Sequence, residues 1–139
     1  MAERLIRVGN VSSVDYATGM IEVTYPDLDD SVTGKFPVFS FTDEYKMPKI
    51  GQEILVLHLS NGQSAGIVLG KYWNEGNKPA VSGVNVFRKE LGASSGESYI
   101  QYSGGDMTLK DQAATLTLGY ISRTLANHEQ RISALEARI

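Results

Sequence analysis

The chain has 139 residues, with 13 Lys and Arg against 16 Asp and Glu, a formal net charge of −3. That length holds one or two small domains and excludes a large multidomain enzyme. The mildly acidic balance gives no electrostatic reason to expect a phosphate-binding protein, and the absence of Cys removes disulfides, thiolate catalysis and Cys-ligated metals together.

The N-terminus reads MAERLIRVGN and lacks the apolar stretch of a signal peptide. The longest aliphatic run, Ile54 to Leu57, is far too short to span a bilayer. The expectation is a protein that is soluble when made and leaves the cytoplasm, if at all, without a cleaved signal. Composition then changes twice, and three zones are expected: 1–80, a compact β domain; 83–119, a Gly-rich segment of short strands; and 120–139, a helix.

In the first zone Leu5 to Val11 reads as a strand, with Gly9 at a bulge or a close contact. Asp15 to Gly19 is turn chemistry. Met20 to Tyr25 alternates, placing Ile21, Val23 and Tyr25 on one face, and Pro26 closes it. Gly34 to Phe39 reads as a third strand, with Pro37 arguing for an edge or an irregular pairing. Glu53 to Leu59 is the strongest strand, Asn61-Gly62 a hairpin turn, and Gly66 to Gly70 the returning strand. Five short strands with a turn every ten residues or so predict a small closed barrel.

The second zone contains Gly at 83, 92, 96, 104, 105 and 119. Between them lie the apolar i,i+2 pairs Val84/Val86, Ile100/Tyr102, Met107/Leu109 and Leu116/Leu118, with Thr, Ser, Gln and Asp on the other face. Such strands bury too little to form a core alone. Three copies wrapped round a shared axis would supply one; a flexible linker is the competing reading.

From Ile121 onward the period becomes helical. Ile121, Leu125, His128, Ile132, Leu135 and Ile139 fall at spacings of 4, 3, 4, 3 and 4, the heptad rule. With Leu125 at position a, Ile132 and Ile139 share a, while Ile121, His128 and Leu135 occupy d. In a parallel in-register assembly Arg131 at g lies beside Glu136 at e of the neighbouring chain. The run Arg131 to Glu136 also resembles the short trimerisation motif of coiled coils, Arg-h-x-x-h-Glu, in which the guanidinium forks onto the carboxylate and its methylenes cover the seam. Ile at a with Leu at d favours two strands; the motif favours three. A helix this short is marginal alone, so helix formation and association are expected as one event. An amphipathic helix packed on its own barrel, the alternative, would show a broader apolar face.

His128 at a d position would meet its copies near the axis, where three imidazoles could hold an anion, a water or a transition metal. The preferred reading is a polar residue that fixes register, and neither a metal nor a cofactor is expected.

No catalytic set is legible. His58 and His128 are the two His and lie in different zones, no phosphate loop is present, and Asp27, Asp29 and Asp30 lack the spacing of a Ca²⁺ loop. The chain is expected not to be an enzyme. Single-stranded nucleic acid is the rival ligand for a small barrel. Tyr16, Tyr25, Phe36, Phe39, Phe41, Tyr45, Tyr72 and Trp73 could stack on bases, but Lys35, Lys46, Lys49, Lys71 and Lys78 are scattered among acids.

The ordered set Leu5 to Val11 with Val14-Asp15, then Lys35 to Val38, Pro48 to Leu57 and Ala65 to Gly70, followed by a Gly-rich β segment, resembles the contractile-tail central spikes. These are the phage baseplate assembly protein V family, related to the spike modules of type VI secretion. The resemblance implies an oligosaccharide/oligonucleotide-binding (OB) barrel that trimerises on the tail hub, with an intertwined trimeric β-helix or β-prism below it. The heptads add a parallel trimeric coiled coil. It further implies a structural virion component of a phage tail or tail-like particle, assembled in the bacterial cytoplasm. Such a part would bind hub and baseplate proteins and meet the bacterial envelope transiently. The family's His-x-His motif, which cages an iron ion at the apex, is missing here. The helical end is therefore expected to dock into another component or to support a separate tip protein.

Overall fold

The computed structural model describes residues 5–59 and 65–138, so the Asn61-Gly62 hairpin and Ile139 lie outside the described residues. The protein is mainly β, with a C-terminal helix. It divides into two compact units, Met1–Lys78 and Pro79–Ile139. Among the described residues no helix is long and apolar enough to cross a membrane.

Among its described residues the first unit forms one sheet from β1 (Ile6–Asp15), β2 (Met20–Tyr25), β3 (Ser31–Val32), β4 (Phe36–Pro37), β5 (Glu53–His58) and β6 (Gly66–Gly70). β1 is long enough to serve two neighbours. Ile6 to Asn10 pair with β5, and Asn10 to Asp15 pair with β2. β2 carries β3 and β4 on its far edge, and β5 carries β6. Val38, just past β4, bridges in parallel to Val68 of β6, and the Phe39 N–H donates to the Val68 carbonyl at 2.8 Å. The pairing therefore runs β1–β2–β4–β6–β5 and back to β1, closing the circuit.

The core follows from the alternation. Ile21, Val23 and Tyr25 of β2 point inward with Val11, Phe36, Ile54, Val56 and Val68. Two glycines make room for the large rings. A Cβ on Gly9 would stand 2.6 Å from Val23 Cγ1 and 2.8 Å from the Thr24 carbonyl; on Gly66 it would stand 2.7 Å from Phe36 Cε2. Gly9 is thus a close contact. The register shift of β1 falls between Val11 and Ser13 instead, where the strand passes from one partner to the other. The Asp15 to Gly19 turn is closed by Gly19 N–H to the Asp15 carbonyl at 3.0 Å, with Gly19 at φ +73°. Pro26 opens a single 3-10 turn over Pro26–Leu28. Its fixed φ suits that first position, and its missing N–H ends the β2 ladder. Pro37 pairs only with Met20, at the sheet's margin.

In the second unit, β7 (Phe87–Glu90), β8 (Tyr99–Ser103), β9 (Asp106–Lys110) and β10 (Thr115–Thr117) form an antiparallel meander. Gly104 and Gly105, at φ +62° and +84°, make the two-residue turn between Ser103 and Asp106, a geometry that needs positive φ at both positions. Asp111 Oδ1 accepts from the Ala113 and Ala114 N–H groups at 2.8 and 3.0 Å to turn the chain into β10. Thr117 then caps α1 (Leu118–Glu136) by accepting the Tyr120 N–H at 3.1 Å. Two expected pairs are corrected. Val84 and Val86 lie in a turn ahead of β7, with Val84 fully exposed. Leu116 and Leu118 are divided between β10 and α1, because the Thr117 cap starts the helix there.

Candidate oligomerisation surface

Cross-strand register sorts the meander into two faces. Phe87, Tyr102 and Met107 stand in one row, and Lys89, Ile100, Leu109 and Leu116 in the next. These rows share a face because side chains two apart on a strand point the same way. Except for Lys89 that face is apolar, and it is open: Phe87 is 60%, Met107 47% and Leu109 50% exposed.

The opposite face is polar and knit together. The Arg88 guanidinium donates to both Glu90 oxygens at 2.9 and 3.0 Å and to Gln101 Oε1 at 3.0 Å. It lies 3.7 Å from the centre of the Tyr99 ring. Glu90 also accepts the Gly96 N–H at 2.6 Å, while Lys110 Nζ donates to the Gly96 carbonyl at 2.8 Å. Hydrogen bonding to Glu90 raises the Arg88 pKa further. The strand Phe87–Glu90 escaped the sequence reading, because Phe-Arg-Lys-Glu shows no apolar alternation. Its only signal was that Arg88 and Glu90 fall two apart, on one side.

The helix repeats the imbalance. Ile121 is half-buried, whereas Leu125, His128, Ile132 and Leu135 are all exposed, as are Arg131 and Glu136. The structure thus places the expected seam, apart from Ile139, on an uncovered helix. No described residue of 79–138 is buried. An apolar sheet face and an apolar helix stripe without a core between them form a surface suited to burial against further polypeptide.

The first unit, unlike the second, has a buried core. His58 is half-buried, its Nε2 2.6 Å from the Tyr25 hydroxyl, and its ring packs edge-on to Phe36. Burial pushes the Tyr25 phenol up to about 12. A groove of about 450 Å³ runs beside Ile6, Val8, Asn10 and Glu53, and Arg7 in its wall is paired with Asp27 at 3.4 Å. Of the aromatics, Tyr25 and Phe36 are core, and Phe39 and Phe41 pack edge-to-face on the surface. Tyr16, Tyr45 and Trp73 are exposed. Lys35 is tied to Asp15 at 3.0 Å, a bond that holds the Asp15 carboxyl below its usual range. Among the described residues no group of three His, Asp or Glu could hold a metal ion. No known family model matches the chain, and no curated protein is similar enough to match it.

Proposed function

We propose that the chain is a structural, non-enzymatic homotrimer, the central spike or hub-plug of a contractile phage tail or tail-like particle. In this reading the barrel is an OB fold seated on the tail hub. The three meanders close into a short β-prism with their apolar faces inward, and three α1 helices continue it as a parallel coiled coil. It acts in baseplate assembly and envelope penetration, and its helical end docks into another component or carries a tip protein.

The observation that carries the reading is a sheet and a 19-residue helix without one buried residue among those described. A lone helix of this length is marginal in water, and a meander with one bare apolar face needs a cover. Copies of the same chain supply both covers at once. Threefold closure matches the Arg131–Glu136 motif. The ordered resemblance of most of residues 4–75 to baseplate spikes supplies the biological setting.

Sedimentation equilibrium of the full chain tests it: the expected mass is three times the 15.2 kDa of one chain, and a lone chain would overturn the reading. The rival, an OB-type nucleic-acid binder with an oligomerisation helix, rests on exposed Tyr16, Tyr45 and Trp73. Retention of single-stranded DNA on a filter at low salt would favour it.

A further inference from the structure

The two histidines are used differently. His58 is held by the Tyr25 hydroxyl and packed against Phe36. His128 stands exposed on α1, and among the described residues no hydrogen bond, ion pair or ring contact engages it. The helix runs from Leu118 to Glu136, so the heptad phase passes through His128 undisturbed. Leu125 and Ile132 lie on the same stripe, three residues before it and four after.

We propose that His128 of three copies forms an axial site for a divalent transition-metal ion such as Zn²⁺ or Ni²⁺. The site rests on the trimeric reading above, and one chain alone supplies only a third of it.

The argument is one of satisfaction. In a trimeric seam the d layer faces the axis, and the apolar Leu125 and Ile132 layers close it above and below. Three rings there would each bring a polar nitrogen into an apolar layer, which is costly unless something binds them. Neutral imidazole nitrogen is a good donor to Zn²⁺, Ni²⁺ and Cu²⁺. Three nitrogens round an axis leave a further position for water, the arrangement of an open zinc site. No carboxylate lies in the seam to compete. The nearest charges, Glu129 at e and Arg131 at g, flank it and offset one another. A metal ion takes the neutral imidazole nitrogen, so protons compete with it and binding weakens in acid.

The test is calorimetric titration of ZnCl₂ and NiCl₂ into the chelator-stripped full chain at pH 7.5, with the mass measured on the same sample. The expected result is one ion bound per three chains, a rise in melting temperature with metal, and loss of both at pH 5. His128→Ala should abolish binding and keep the threefold mass; His58→Gln should leave the stoichiometry unchanged. A trimer that binds no ion, or binding that survives His128→Ala, overturns the site and leaves the trimer standing. Stabilisation by chloride at pH 5 without metal binding overturns it in favour of protonated rings round an anion. A mass of one chain overturns site and trimer together.

Discussion

The barrel and the C-terminal unit divide the molecule by where the burial goes. The barrel folds inward: Val23, Ile54, Val56 and Val68 are wholly excluded from water, and the pairing circuit closes on itself. Residues 79–138 satisfy their backbone by a meander and a helix yet leave Phe87, Leu109, Leu125 and Leu135 in the open. The first unit carries its own driving force for folding; the second buries none of its described residues.

The sharpest way to break that contrast is Leu135→Asp. In the proposed trimer three carboxylates could not enter the apolar seam unpaired, so sedimentation should show the helical end parted. The barrel's own unfolding transition should stay in place, and an unchanged sedimentation profile would count against the seam. Next is Phe36→Ala, which empties a fully buried position and should cost the barrel about 3–5 kcal/mol in urea unfolding. That loss should be independent of protein concentration, whereas melting of 79–138 should depend on it. Gly66→Ala puts a methyl into the Phe36 ring and should cost about 1–3 kcal/mol by the same measurement.

A pH series separates the units further. The Tyr25 phenol is raised from 10 to about 12, chiefly by burial. A group that holds its proton more tightly when folded contributes stability in full below its unfolded pKa. That contribution drains as pH rises from 10 through 12. Tyr25→Phe should flatten this part of the barrel's alkaline stability curve and leave the C-terminal unit's curve unchanged. The smallest effect expected is Arg88→Met, about 1 kcal/mol from lost ion-pair and ring contacts. It should appear in the second unit's transition alone.

Much of the barrel was legible. The alternation of Met20 to Tyr25 named the inward residues of β2, and Glu53 to Leu59 contained the strand whose Ile54 and Val56 are buried. The helix was visible in its spacing, although it begins at Leu118, ahead of the first seam residue, because Thr117 caps it. What escaped has physical causes. β3 is two residues long, too short to show a period. Val84 and Val86 alternate but lie outside any strand among the described residues. β7 is a strand of mixed charge whose identity lies in its partner: Arg88 opposite Gln101 and Lys89 opposite Ile100.

By itself the sequence determined which residues are apolar and at what period, and hence that β strands precede a helix and which stripe that helix presents. Period is a local property, written residue by residue. The tertiary structure alone decided that Val38 meets Val68 to close the sheet, that Gly9 and Gly66 yield their space to Val23, Tyr25 and Phe36, and that Phe87 joins Tyr102 and Met107 in one row of the meander. These depend on contacts between residues far apart in the chain, where register and steric fit choose among pairings that the local pattern leaves equal.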